Sequence, residues 1–227
     1  MDKTDTIKST SKLSITYLVI AVCCTFVTVF GLQLFNRHLL MSYSLPMRMI
    51  LMIITRWLLI LGPGILMVVN KEKLGDIGFQ KDKILKQIGI GIYLAFAMSL
   101  VLTVLPILLG FKDMTGSTTY TKAWQFTYQF VYDIIGVALT EEFIFRGYIF
   151  KKLLEIRNSR RFAILISSLL FGLFHIFNGN LIQVFMTAFL GFLFCMLREK
   201  IKGCTLLSLI IAHGIYDALI VLWVSIL

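Results

Sequence analysis

The chain has 227 residues, 58% of them hydrophobic and 15% charged, with a mean hydropathy of +0.87. A soluble domain carries about 25% charged residues, so this composition excludes one and points to an integral membrane protein. The net charge of +10 does not call for a nucleic-acid partner, because the basic residues lie between apolar runs and not on one polar surface.

Apolar runs of spanning or near-spanning length predict seven helices, near 13–35, 45–69, 87–111, 124–146, 162–177, 181–197 and 204–227. The first run is far longer than the roughly 7–15 residues of a signal-peptide core, and no small-residue cleavage site follows it, so it is expected to stay as a span. The second carries Arg48 and Arg56, and Gly62-Pro63-Gly64 is expected to kink it near its end, as Pro106 is in the third. Segment 112–122 reads as a polar loop. Segment 147–161 combines apolar residues at helical spacing with a basic face and predicts a helical extension or an interfacial helix. The fold class is therefore all-α: a polytopic transmembrane bundle of about seven spans plus a basic cytoplasmic helical segment. It reads as a single membrane domain over 1–227, with N-terminal spans in 1–123 and motif-bearing spans in 124–227.

The loops then give an orientation. With the N-terminus inside, 17 Lys and Arg fall on the inner side and only Arg37, Lys112 and Lys122 on the outer side. This positive-inside bias predicts a multi-pass cell-membrane protein with a cytoplasmic N-terminus and an outside C-terminus. Cys23, Cys24, Cys195 and Cys204 have neither metal nor disulfide-framework spacing, so they read as core or lipid-facing residues, with acylation of Cys204 as the alternative.

Three polar signals interrupt the later spans. They are Glu141-Glu142-Phe143-Ile144-Phe145-Arg146, Phe171-Gly172-Leu173-Phe174-His175 and His213-Gly214-Ile215-Tyr216-Asp217. An ionisable group inside a membrane-spanning helix is costly unless partnered, so each marks a candidate site. Glu142 and Arg146 are four apart and share a helix face, while Glu141 points about 100° away. The pair suggests a division of labour, with one carboxylate held by Arg146 and the other left to act as a base. The bland alternative is a solvated salt bridge at a helix end. His175 stands alone on its helix, where a satisfied core histidine is the alternative, and Phe171 is either core packing or the apolar wall of a site. His213 and Asp217 are spaced for a carboxylate to orient an imidazole, or for helix–helix hydrogen bonding. Together, a spare carboxylate and two imidazoles form a water-activating set. Glu and His also ligate zinc, but the usual His-Glu-x-x-His helix is absent.

At these residues the chain resembles the CAAX protease and bacteriocin-processing family, also called type II CAAX prenyl endopeptidase-like or Abi proteins. That family's pattern is Glu-Glu-x-x-x-Arg, then Phe-x-x-x-His, then His-x-x-x-Asn or Asp, on successive membrane helices. Phe145-Arg146-Gly147, Gly191-Phe192 and Ala212 also suit it. The resemblance covers roughly 124–224, and the first three spans match only as generic spans. It implies intramembrane peptide-bond hydrolysis. Glu141 would activate water with His175, His213 and Asp217 would stabilise the oxyanion, and Glu142 with Arg146 would be the supporting pair. An ionised Asp217 cannot donate to an oxyanion, so it must stay protonated or act through His213.

The expected partners are a peptide or lipidated-protein substrate and the lipid bilayer. No cofactor is expected, with a zinc-dependent version of the same protease as the alternative. A non-catalytic bacteriocin-immunity or scaffold protein is the rival from another class. A transporter is another, since Arg48, Arg56 and Asp133 could mark an ion path, but no matching pair of broken helices supports it. One difficulty follows from the spans. Glu141 falls near the inner end of the fourth and His175 near the outer end of the fifth, about 15 Å apart in depth. A shared site then requires the turn 178–180 to sink below the outer surface and the fifth helix to extend inward into 155–161.

Overall fold

Residues 3–115, 120–178 and 181–227 are described by a computed structural model, and all of their regular structure is helical. The principal helices are α1 (Lys3–His38), α2 (Leu45–Arg56), α3 (Leu58–Val69), α4 (Ile84–Ser99), α5 (Arg160–Phe174), α6 (Leu181–Lys200) and α7 (Leu206–Ile226). Between α4 and α5 lies an unbroken helical run over 123–156, here the motif helix. It alternates α-helical turns with two π-helical stretches, Tyr132–Ala138 and Phe143–Ile149.

The protein is a multi-pass, all-α membrane protein. Six helices among the described residues are long and apolar enough to cross a bilayer: Lys12–Ser42, Leu45–Val69, Ile84–Leu108, Arg160–Phe177, Leu181–Lys200 and Leu206–Ile226. The expected count of seven falls to six by this criterion. The missing one is 124–146, which is helical, but whose Gln125, Gln129, Asp133, Glu141 and Glu142 dilute its hydropathy. Side chains such as Val68, Tyr93 and Phe185 stand more than 70% exposed along these helices. Faces this apolar suit lipid and not water.

Two proline expectations separate. In the second apolar run the helix breaks at Trp57 and then continues through Pro63, so Gly62-Pro63-Gly64 is not the interruption. Pro106 does disturb its helix: the π-helical stretch Leu100–Val104 lies immediately ahead of it. The polar loop 112–122 contains a short helix, Lys112–Thr115, that its composition did not signal. Cys204 is buried, which removes it from the acylation candidates.

Packing divides the chain into two compact units. One comprises Met1–Phe79 and Thr140–Lys202, the other Gln80–Leu139 and Gly203–Leu227. In the first, α1 packs on α3 and α5 packs on α6. Gly172 permits the close approach of α5 and α6, since a Cβ there would lie 2.6 Å from both the Ala188 Cβ and the Val184 carbonyl. Small residues perform this role where membrane helices meet. Ser159 caps α5, accepting from the Phe162 N–H.

In the second unit α4 and α7 form the main pair. A buried polar clasp joins them: Thr205 Oγ1 donates to Gln87 Oε1 at 2.5 Å, and Ser208 Oγ donates to the Gln87 carbonyl at 2.9 Å. Thr205 also caps α7 by accepting from the Ser208 N–H.

Candidate active site on the motif helix

The motif helix carries Glu141 and Glu142 on a single α-helical turn, Leu139–Glu142, between the two π-helical stretches. Stretches of π-helix recur at functional sites because they turn side chains off the regular 100° spacing. The sequence has no feature that announces them.

Glu142 is fully buried and accepts from Arg146 Nη1 at 2.9 Å. The Arg146 guanidinium sits 4.0 Å over the Phe171 ring and 5.4 Å from the Phe194 ring. Gly191 completes this slot, because a Cβ there would stand 3.1 Å from Phe171 and 3.3 Å from Arg146 Nη2. Arg146 Nε and Nη2 make no hydrogen bond among the described residues, so the aromatic faces and the Glu142 carboxylate hold this buried cation. The Arg146 carbonyl accepts from Arg198 Nη1 at 2.5 Å, and Arg198 also reaches the Ile77 carbonyl at 3.5 Å. Gly78, at φ +102°, is required there twice over: its backbone is left-handed, and a Cβ would collide with the Arg198 guanidinium.

Glu141 is 2% exposed and lies toward α2. Arg56 Nη1 stands 4.0 Å from Glu141 Oε1, and the Arg56 side chain is 29% exposed.

His175 ends α5 and is half-buried. Its ring packs edge-on against Phe171 at 4.9 Å and Phe174 at 5.2 Å. Nδ1 lies 2.9 Å from the Phe171 carbonyl oxygen. A carbonyl can only accept, so Nδ1 carries the proton and donates, which leaves Nε2 of the neutral ring as an acceptor.

The depth difficulty resolves in the hairpin between the motif helix and α5. The motif helix runs to Ile156 and α5 starts at Arg160, so the helix continues ten residues past the fourth apolar run, in line with the helical extension expected for 147–161, and the connection is short. Glu141 is 15 residues before Ile156 (156 − 141), and His175 is 15 residues after Arg160 (175 − 160). At about 1.5 Å per residue both lie roughly 22 Å from the connection. Side-chain contacts agree. Arg146 lies over Phe171, one turn past Glu142 and one turn before His175, and Ser167 Oγ donates to the Phe145 carbonyl at 2.7 Å. The inward extension of helix five is smaller than expected, because α5 begins at Arg160. The turn expected to sink, 178–180, lies outside the described residues at 179 and 180.

In the other unit, His213 Nε2 stands 3.3 Å from Asp217 Oδ2. Gly214 brings this turn of α7 against the motif helix, where a Cβ would lie 2.6 Å from the Ile134 Cα. Nearby on the motif helix, buried Asp133 accepts from Gln129 Nε2 at 2.7 Å, and Gln129 in turn accepts from the Tyr120 hydroxyl at 2.9 Å.

Five of the seven site residues read from the sequence therefore belong to one unit: Glu141, Glu142, Arg146, Phe171 and His175. His213 and Asp217 belong to the other and pair with each other. Two cations were not assigned to the site by sequence. Sequence offers Arg56 only as a possible ion-path charge and Arg198 only among the inner-side basic residues. Among the described residues no three His, Cys, Asp or Glu side chains converge to hold a metal ion.

Residues 123–219 match the family model described as type II CAAX prenyl endopeptidase Rce1-like. All three motifs fall inside the match, while Arg56 falls outside it. No curated protein and no solved structure matches the chain.

Proposed function

We propose, from the match of residues 123–219 to the Rce1-like type II CAAX prenyl endopeptidase model, that the chain is an intramembrane endopeptidase with Glu141 as the base. The observation that carries the reading is the division of the two glutamates. Glu142 is committed to Arg146 at 2.9 Å, so Glu141 is the carboxylate left for chemistry. Glu141 takes a proton from the attacking water. His175 Nε2, an acceptor by virtue of the Nδ1–H bond to the Phe171 carbonyl, orients that water from the same depth. By resemblance to the family His213 is the oxyanion donor: acting as an imidazolium, it gives Nε2–H to Asp217, which orients it, and keeps Nδ1–H for the oxyanion. An ionised Asp217 can act in this way without donating. The substrate is a membrane-associated peptide or lipidated protein: a CAAX-type terminus, a bacteriocin leader or a signalling propeptide.

The same reading holds the reaction metal-independent and the N-terminus cytoplasmic. The first follows from the adequacy of a Glu–His set where no three metal donors converge. The second follows from the positive-inside bias, with the motif helix counted as the seventh crossing.

The test is cleavage in detergent micelles of an internally quenched peptide ending in a farnesylated Cys-aliphatic-aliphatic-X sequence, alongside an unprenylated peptide library. Wild-type chain should cleave, and exhaustive chelation should leave the rate unchanged. Glu141→Gln should accumulate normally and lose at least about 10²–10⁴-fold, the worth of a general base. An active Glu141→Gln ends the proposal, and activity lost to chelation and restored by stoichiometric zinc ends its metal-free form.

A further inference from the structure

Arg56 lies on α2, outside the matched domain, yet it is the cation that meets Glu141. A second glutamate–arginine contact occurs one residue away, and its geometry differs. Glu142 and Arg146 are closed at 2.9 Å and 0–1% exposed. The Arg56–Glu141 atom pair stands at 4.0 Å, beyond hydrogen-bond reach, and the Arg56 side chain is 29% exposed. A purely structural partner for a buried carboxylate would close on it, since charge-assisted pairs settle near 2.7–2.9 Å. At 4.0 Å on a partly exposed side chain, the guanidinium is near enough to act on charge at Glu141 without closing on its Oε1.

We infer that Arg56 is a further catalytic residue, whose guanidinium receives the negative charge as it passes from Glu141 to the substrate. The inference rests on the proteolytic reading above. In the attack, water gives a proton to the Glu141 carboxylate, which becomes a neutral carboxylic acid. The water's oxygen forms a bond to the scissile carbonyl carbon, and the carbonyl π pair moves onto oxygen. One negative charge thus leaves Glu141 and appears on the tetrahedral oxyanion a few ångströms away. A fixed cation beside both positions opposes the carboxylate before the step and the oxyanion after it, with no reorganisation of solvent. Collapse returns the pair to the carbonyl and expels the amine, which takes the proton from Glu141, so the charge returns as well. Arginine suits this role because it is always charged and presents several donors from one planar group.

The test compares wild type, Glu141→Gln, Arg56→Gln and Arg56→Lys on the two peptide probes, with yield and thermal midpoint measured for each. Arg56→Gln should lower kcat by about 10²–10³-fold, the scale of one oxyanion donor, with KM little changed. Arg56→Lys, which keeps the charge but not the fork, should fold like wild type and lose about tenfold or more in kcat. A peptidyl phosphonate, which mimics the tetrahedral state, should bind Arg56→Gln at least about tenfold more weakly, while the matching reduced-amide peptide binds as to wild type. A merely structural Arg56 would not separate those two ligands. Folded Arg56 variants with wild-type kcat, or equal loss for both ligands, overturn the inference while a dead Glu141→Gln leaves the protease reading standing. If Arg56→Gln fails to accumulate, the Arg56→Lys result decides. Wild-type chain that cleaves neither probe, or an active Glu141→Gln, removes the protease reading and the role of Arg56 with it.

Discussion

Glu142 meets Arg146 at 2.9 Å with both side chains shut away from solvent, whereas one residue earlier Glu141 stands 4.0 Å from Arg56, whose side chain is partly exposed. The first contact is local: four residues apart on one helix, closed by an aromatic slot of Phe171 and Phe194. The second joins helices whose residues are 85 positions apart (141 − 56). A helical step of about 100° is enough to send adjacent carboxylates to these two settings. The contrast teaches that burial alone does not assign a role, since both glutamates are 2% exposed or less. Under the proposed function, the partner's distance and its access to solvent are what assign Glu142 to structure and Glu141 to chemistry.

The strongest way to break this contrast is Glu142→Gln. It leaves the Arg146 guanidinium buried with two nitrogens already outside any hydrogen bond among the described residues. Stranding one member of a buried ion pair costs about 3–5 kcal/mol. Glu142→Gln should therefore accumulate poorly and melt early in detergent, while the molecules that fold keep specific activity. Glu141→Gln should show the reverse, with normal yield and no cleavage. Equal yields for the two variants, or a stable and dead Glu142→Gln, would exchange the roles assigned here.

A smaller effect is expected from Gly172→Ala, which acts on the level at which His175 is held. The new methyl would meet Ala188 Cβ and the Val184 carbonyl at 2.6 Å, and the carbonyl is backbone that cannot swing aside. Forcing a methyl into such a contact costs about 1–3 kcal/mol. Because α5 carries both Phe171 and His175, the shift should lower cleavage along with the thermal midpoint. Gly191→Ala, whose contacts are looser at 3.1–3.3 Å, should follow in the same direction and by less. A Gly172→Ala protein with wild-type midpoint would mean that α5 and α6 are not held at this separation.

Much of this was legible before any coordinates, and the reasons are specific. The i, i+4 pairs Glu142–Arg146 and His213–Asp217 follow from helical spacing alone, and both form. The basic segment after the fourth apolar run was read as a possible helical extension, and it is one. What sequence could not supply was register between helices. The 15 Å depth conflict between Glu141 and His175 arose from ending the fourth span at 146, where apolar character fades. Lys151 and Lys152 look like a solvent-facing end, yet the helix continues because Glu72 and Glu155 pair with them. The π-helical stretches have no composition signature. Arg56 carried no motif, so only its approach to Glu141 shows what it is near. The fourth span is helical as expected, and its polar residues bring its hydropathy below that of the other six.

That continued helix carries the subtlest prediction, set outside the candidate spans at 150–156. Lys152 is 3% exposed and donates to Glu72 at 2.5 Å and to Glu155 at 2.9 Å, while Glu155 accepts from Ser14 at 2.7 Å. Burial by itself would lower the Lys152 pKa, but its hydrogen bonds to Glu72 and Glu155 raise it above the ordinary 10.5. Burial would likewise raise the Glu155 pKa, and hydrogen bonds from Lys152 and Ser14 bring it below the ordinary 4.5. A lowered carboxylate stabilises the fold above its ordinary value and ceases to do so as pH falls through its folded value. A raised lysine stabilises below its ordinary value and ceases to do so as pH rises through its folded value. Both contributions are therefore complete between pH 4.5 and 10.5, with losses on either side. Glu155 is 28% exposed, so solvent screening keeps its share within about 0–1 kcal/mol, or a thermal midpoint change of at most about 2–4 °C. Glu155→Gln should lower the plateau by that amount and flatten the loss seen below pH 4.5, and it should leave Glu141 chemistry untouched. An acid limb unchanged in Glu155→Gln would place the titrating group elsewhere. A loss of cleavage at constant midpoint would tie this clasp to the active turn, three helical turns along the same helix, and not only to the fold.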